Sequence, residues 1–139
     1  MRMSFVLKII FTSGLLATSN LYAETCNVNS KHANVPNIIE QQYHQARKHL
    51  LLSGWQPLRT LNYNTARDQL MYSGNGLSFW EKGYVELANC AGTGSAPCKF
   101  NFKDIYGNTL EVYTSGEDNP REKYYAHISN IDLSCKTNN

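Results

Sequence analysis

The sequence predicts an α+β domain in which one N-terminal amphipathic helix packs on an antiparallel sheet of about four strands, giving two layers stapled by disulfides. Three observations predict this fold: an apolar stripe with helical spacing in the first half, alternating apolar and polar residues in the second half, and four cysteines. Short connections between consecutive strands favour an antiparallel meander. One helix packed against such a sheet makes a two-layer domain.

The first 23 residues have the pattern of a cleaved secretory signal peptide. Arg2 and Lys8 precede a short apolar run, and the segment ends on the small residue Ala23. Hydroxyl residues interrupt the run, which is shorter than the roughly 20 apolar residues that span a bilayer. The sequence therefore predicts a signal peptide over 1–23 and a single domain over 24–139. It also predicts a periplasmic or extracellular location, with no membrane span after cleavage.

The mature chain is predicted to carry no net charge. Two of the 13 basic residues leave with the signal peptide, so the remaining basic residues match the 11 acidic residues in number. Nucleic-acid binding requires an excess of basic residues on one face, and we therefore expect no nucleic-acid partner. A domain of this length builds only a modest core, so covalent cross-links would stabilise it.

The four cysteines are predicted to form two disulfides, because an even number of cysteines in an exported chain indicates cross-links. Of the three possible pairings we expect Cys90–Cys98, the nearest pair, and Cys26–Cys135, which lie near the two mature ends. Structural zinc sites usually contain closely spaced cysteine pairs, and the chain has none. No metal and no other cofactor is expected.

The first element is a helix predicted over residues 37–53. Its apolar stripe consists of Ile39, Tyr43, Ala46 and Leu50. Asn37 followed by Glu40 resembles a capping box, and Gly54 occupies the position of a left-handed C-cap.

The segment that follows the helix is predicted to be extended over residues 55–58. Pro57 lacks a backbone donor and therefore belongs at a sheet edge or outside the sheet. Residues 65–71 are consistent with a helical turn, and residues 77–80 either form a short helix or simply cover the core.

The second half of the chain is predicted to contain the sheet, with strands over 84–89, 99–103, 109–114 and 123–128, and Ile131 and Leu133 can extend the last strand towards Cys135. The residues expected to face the helix are Phe100, Phe102, Leu110, Val112, Tyr124, Ala126 and Ile128. The residues expected on the far face are Lys99, Asn101, Lys103, Glu111, Tyr113, Lys123, Tyr125 and His127. A bulge or an irregular turn is expected before Cys90, because strict alternation puts Cys98 on the face of Phe100 but Cys90 on the face opposite to Leu87.

The far face has two interpretations. An antiparallel sheet commonly presents a polar face to water. The functional interpretation is that Tyr113, Tyr125 and His127 form part of a partner-binding patch, because tyrosine offers a large contact area together with a hydroxyl group.

Candidates for catalysis are weak. His44 and His49 lie about 140° apart on the helix and do not share a face, so both are expected to be solvated. Ser95 lies in a glycine-rich loop, but the loop is not the G-x-S-x-G elbow of a hydrolase. The pair Glu117 and Asp118 is expected to form a solvated turn, with too few oxygen ligands nearby for calcium.

The loop between Cys90 and Cys98 is the most distinctive stretch. Its candidate binding residues are Gly92, Thr93, Gly94 and Ser95. The glycine amides are suited to forming an anion nest. The alternative is a hairpin loop that needs glycines to turn and a disulfide to hold it.

Five short segments contain characteristic glycine, aromatic or cysteine residues: Gly54–Pro57, Gly83–Glu86, Cys90–Gly94, Pro97–Phe100 and Tyr106–Asn108. Together they resemble a group of small uncharacterised secreted bacterial proteins with a G-W-x-P segment and a C-x-G-T-G…P-C loop. The resemblance covers about residues 40–116. It implies a bacterial periplasmic or secreted location and no particular activity, so no functional residue is transferred.

Two functions remain open. The first is a binding module of the bacterial envelope that inhibits or neutralises an unknown partner protein, as hydrolase inhibitors and toxin-immunity proteins do. The second is a small envelope hydrolase or a small-ligand carrier with a pocket between helix and sheet. A deep pocket with converging polar groups would favour the second, whereas a closed core with a protruding loop would favour the first.

Overall fold

A computed structural model of the protein describes Cys26 and residues 30–136. The predicted signal peptide lies outside these residues. The elements of the described part are, in chain order, α1 (Tyr43–Leu52), β1 (Gln56–Pro57), α2 (Tyr63–Leu70), α3 (Gly76–Glu81), β2 (Leu87–Cys90), β3 (Cys98–Lys103), β4 (Thr109–Ser115) and β5 (His127–Ser134). Within the same residues, no helix has both the length and the apolar character required to cross a membrane.

The sheet is antiparallel throughout and is centred on β3. One side of β3 pairs with β4, which in turn pairs with β5, and the other side pairs with β1 and β2. The α+β class is therefore confirmed. The described part has five strands rather than about four, and three helices rather than one, because the short β1 and the helices α2 and α3 join the expected elements.

Both predicted disulfides are present. Cys26 is bonded to Cys135, and Cys90 is bonded to Cys98. Cys90 and Cys98 are register partners at the ends of β2 and β3, and the register shifts between Leu87 and Asn89. This irregularity is the bulge that the alternation pattern required before Cys90.

The first helix begins at Tyr43 rather than at residue 37, so the predicted capping box is wrong. Glu40 has a left-handed backbone, with φ 65°, and Gln42 is the residue before the helix. The Glu40 N–H donates to the carbonyl of Ile128, and the Ile128 N–H donates to the carbonyl of Gln41. These bonds to the start of β5 hold the turn that precedes α1 in place. The helix ends at Leu52, and Gly54, with φ 95°, has the left-handed backbone expected just after it.

The core is close to the one predicted. Tyr43, Ala46 and Leu50 are buried, and the Tyr43 ring stacks on Phe100 with 3.7 Å between ring centroids. The predicted sheet residues Phe102, Leu110 and Val112 are fully buried as well. Ile39 is the exception, because it is 41% exposed while its neighbour Ile38 is fully buried. Residue 39 precedes the helix, so helical spacing does not apply to it.

The last strand was misplaced by the alternation pattern. It begins at His127 and continues to Ser134. Before it, residues 119–124 form a small hairpin. The N–H of Asn119 donates to the carbonyl of Tyr124, the N–H of Tyr124 donates to the carbonyl of Asn119, and Lys123 has φ 60°. Tyr124 is consequently 58% exposed and does not face the core. Ala126 and Ile128 are buried, as expected.

Candidate functional site

Three grooves meet at one end of the sheet, on the side where β3 begins and β4 ends. We call this region the loop end. It consists of the disulfide loop (91–97), the turn between α2 and α3 (71–75) and the loop 116–125. One groove is a cleft of about 660 Å³ between the disulfide loop and the loop 116–125. It is lined by Gly74, Asn75, Ser78, Gly92, Gly94, Ser95, Ala96, Gly116, Glu117, Asp118 and Asn119.

The disulfide loop is exposed but held in one shape. Residues 91–95 are all exposed to solvent. The Ala91 N–H donates to the carbonyl of Pro97 at 2.9 Å, across the base of the loop. The Gly116 N–H donates to the carbonyl of Ser95 at 2.6 Å, which ties the loop to its neighbour. The loop therefore presents its tip on a pre-formed backbone.

Two glycines allow the disulfide loop to touch the turn between α2 and α3. A Cβ atom on Gly92 would lie 2.9 Å from the carbonyl oxygen of Tyr72, and one on Gly74 would lie 2.8 Å from that of Ala91. Side chains at these two positions would push the segments apart. Gly92 therefore allows close approach of two backbone segments.

Asn75 joins the three segments of the loop end. Its side-chain Nδ2 donates to the carbonyl oxygens of Ala96, at 3.2 Å, and Gly116, at 2.8 Å. Its Oδ1 accepts from the N–H of Asp118 at 2.9 Å. The residue is buried. This role could not be predicted from the sequence, because an Asn-Gly pair also occurs in ordinary turns.

His44 was expected to be solvated, but the structure places it in a largely buried position. Its side chain is 20% exposed. The ring nitrogen Nδ1 lies 2.8 Å from the hydroxyl of Tyr84, and Nε2 lies 2.9 Å from Oδ1 of Asp118. Both partners are distant in sequence, so a helical-wheel argument could not identify them. His44 links α1 to Tyr84, which follows α3, and to the loop 116–125.

Asp118 is buried at the floor of the cleft, which corrects the expectation of a solvated turn. Burial raises the pKa of this carboxyl group, but the side chains of His44 and Lys82 outweigh it and hold the pKa below the ordinary value of 3.8. The Lys82 Nζ lies 2.9 Å from Oδ2. A charged carboxylate is therefore neutralised inside the fold and binds α1, α3 and the loop 116–125 together.

Tyr84, His44 and Asp118 follow the hydroxyl–imidazole–carboxylate order of a catalytic triad. Burial raises the pKa of Tyr84, even though the guanidinium of Arg47 lies 4.5 Å from its ring centroid and acts in the opposite direction. An activated nucleophile requires a lowered pKa or a free base beside it. The contacts of the three side chains join α1, the segment that follows α3 and the loop 116–125.

A second buried ion pair lies next to this group. Glu86 is fully buried and accepts hydrogen bonds from the hydroxyl of Tyr43 and from Nε of Arg47. Burial, followed by the charge of Glu86, raises the pKa of Tyr43 well above its ordinary value. The carboxylate therefore has donors in the core, which is the condition for burying a charge.

The predicted patch residues differ in their surroundings, although His127 is the register partner of Ser115, two residues from Tyr113 on β4. On the sheet, Oε2 of Glu111 accepts a short hydrogen bond from Tyr113, which raises the pKa of Tyr113 to about 12, while Oε1 lies 2.6 Å from Lys99. Tyr125 precedes β5, and its ring packs against His44 with 6.0 Å between centroids. Tyr125 and His127 instead line a second groove, of about 360 Å³, with Gln42, Gly116, Glu117, Lys123 and Tyr124.

Thr93, Gly94 and Ser95 lie at the exposed part of the disulfide loop, and Gly94 and Ser95 line the cleft together with Gly92. In the described residues, no cluster of three or more histidine, cysteine, aspartate or glutamate side chains is arranged to hold a metal ion.

Comparison of the chain with protein-family models, curated proteins and solved structures gives no match. The resemblance to small secreted bacterial proteins therefore stays a prediction from the sequence.

Proposed function

We propose that this protein is a binding module of the bacterial envelope that inhibits or neutralises a partner protein through its loop end. One observation carries the proposal: the tip of the disulfide loop, Thr93–Ser95, is exposed while its backbone is held by a disulfide and by hydrogen bonds to two neighbouring segments. A loop ordered in advance loses little conformational entropy when it binds.

The loop is held by a disulfide and by two hydrogen bonds, and a loop held at several points suits an inhibitor. The disulfide closes the base, Gly116 holds the carbonyl of Ser95, and Asn75 holds the carbonyl of Ala96. Pre-organised complexes of the protease–inhibitor type change little in backbone on binding. The loop end has this pre-formed character over three adjacent segments.

A carrier or hydrolase with a pocket between helix and sheet is less well supported. The interface between α1 and the sheet is filled by buried side chains such as Tyr43, Leu50 and Phe100, whereas ligand pockets are concave and lined by converging polar groups.

The envelope location rests on the signal-like N-terminus and on the disulfides. Disulfides form and persist in oxidising compartments such as the periplasm and the extracellular space. Both cysteine pairs of the chain are bonded. Export would therefore supply the conditions under which the loop end acquires its shape.

The test is affinity capture with the oxidised mature protein, residues 24–139, from the envelope fraction and culture fluid of the producing cell, followed by mass spectrometry. The loop variant carries Thr93→Arg and Ser95→Arg, both on exposed positions. The matched control is Thr60→Arg, which is exposed near Asn101 of β3.

We expect wild type and control to bind the purified captured protein with equal affinity and to reduce its activity, and we expect the loop variant to do neither. Equal binding by the loop variant would exclude the disulfide loop as the contact. Hydrolysis of an envelope substrate by the mature protein, with no captured protein, would favour the enzyme.

A further inference from the structure

The most exposed large side chain beside the disulfide loop is Tyr72. It is 88% exposed, and the partly exposed Met71 precedes it. The carbonyl of Tyr72 lies against Gly92, within the close contact described above. The side chain therefore projects from the segment that packs directly against the disulfide loop.

The turn that carries Tyr72 is fixed from both sides. On its N-terminal side, the hydroxyl of Ser73 donates to the carbonyl of Gln69 at 3.0 Å, and the Ser73 N–H donates to the carbonyl of Leu70 at 3.1 Å. On its C-terminal side, Asn75 is held by the carbonyls of the two other segments. A side chain on such a backbone has only its own rotamers to order on binding.

Exposure by itself does not distinguish Tyr72, since single exposed apolar residues are normal on protein surfaces. Tyr63 is also exposed, but its ring lies 6.0 Å from that of Trp80 and 5.5 Å from the guanidinium of Arg59. Within the described residues, no aromatic ring or cationic group packs on the ring of Tyr72. Its contact surface is thus available, on a rigid turn, next to the loop proposed to bind.

We propose that Tyr72 is the anchor residue of the loop end, and that the partner is a protein with an apolar pocket that accepts a phenol ring beside the disulfide loop. This inference rests on the proposed function and deepens it. Tyrosine buries a large area with few rotatable bonds, and tyrosine is enriched among the residues that dominate binding energy. Met71 supplies an adaptable apolar contact at the edge of that pocket.

The test uses photo-crosslinking in the producing cell. The full chain carries p-benzoylphenylalanine at position 72, at position 93 in the disulfide loop, or at position 106 as the control. Tyr106 is partly exposed on the turn between β3 and β4, at the opposite end of the sheet, and its N–H is held by Asp104. We expect a discrete protein adduct from positions 72 and 93 and none from position 106.

Competition with unlabelled mature protein then measures the contribution of the ring. We expect Tyr72→Ala to raise the half-maximal competing concentration by about 30-fold or more, the range of interface hot spots. Tyr72→Phe keeps the ring and should stay within about 5-fold of wild type, on the same reasoning. Tyr106→Ala should compete as wild type does. Both truncations are at exposed positions, and circular dichroism checks that they fold.

The outcomes separate the two proposals. An adduct from position 93 that Tyr72→Ala protein competes away as well as wild type overturns the anchor assignment but leaves the binding role intact. A dominant adduct from position 106 places the interface at the other end of the sheet and overturns both. The absence of adducts from positions 72 and 93 likewise contradicts both.

Discussion

Asn75→Asp is the substitution that tests most directly whether the loop end is held together as described. The change preserves the shape of the side chain but replaces the donor Nδ2 by an acceptor. The carbonyl oxygens of Ala96 and Gly116 lose their donor, and a carboxylate is placed against them. The bond from the N–H of Asp118 can remain.

The expected loss follows from these contacts. Each of the two donated bonds contributes about 1 kcal/mol net. A buried carboxylate facing two carbonyl oxygens adds an unfavourable contribution of about 1–2 kcal/mol. We therefore expect the free energy of unfolding to fall by about 3–4 kcal/mol at pH 7, a large share of the roughly 5–15 kcal/mol typical of a domain.

The assay is urea unfolding of the oxidised protein, followed by tryptophan fluorescence between pH 3 and pH 7. The matched control is Asn119→Asp, because Asn119 lines the same cleft but is only partly buried. This control should change the free energy of unfolding by less than about 0.5 kcal/mol.

The pH dependence has a definite sign. The new carboxyl group at position 75 is buried against acceptors, so its folded-state pKa should exceed the unfolded value of about 3.9. Its destabilising effect should therefore be complete above the folded pKa and should shrink as the pH falls through it. A loss below about 0.5 kcal/mol at pH 7, or a loss that does not change with pH, would refute the reasoning.

Three further predictions concern the core, the cleft floor and the disulfide loop. Phe102→Ala, at a fully buried position, should cost about 3–5 kcal/mol in urea unfolding; a cost below about 1 kcal/mol would contradict its place in the core. Asp118 has a lowered pKa, so its contribution to stability is present above pH 3.8 and is lost as the pH falls; Asp118→Asn should flatten the acid side of the stability profile, and an unchanged slope would count against the buried ion pair. Replacing both Cys90 and Cys98 by serine should cost about 2–3 kcal/mol, the chain-entropy value for so short a loop, and hydrogen exchange should show faster exchange of the loop amides; unchanged protection would mean that the disulfide does not order the loop.

The elements that could be predicted from the sequence are those with a local cause. The helical stripe of Tyr43, Ala46 and Leu50 and the alternation of Phe100 and Phe102 are both repeated within a few residues. Such periodicity is decided by which face of an element is buried. The α+β class and the buried face of β3 followed from it.

Both disulfides could also be predicted, because four cysteines allow few pairings and two of them lie eight residues apart. The residues at which the first helix and the last strand begin could not be predicted from the sequence. Residues 40–42 bond to the start of β5, and Lys123 adopts a left-handed backbone. Long-range bonds and a single dihedral angle leave no periodic trace in a sequence.

The candidate site likewise contains one part with a local sequence signal and another part without one. The disulfide loop was recognisable from its cysteines and glycines alone. The roles of His44, Asn75 and Asp118 depend on partners that are 40, 41 and 74 residues away along the chain. A buried polar group is stabilised by whichever partner the fold brings within hydrogen-bonding distance. Tertiary structure alone therefore decided that these polar residues join three segments into one rigid end of the molecule.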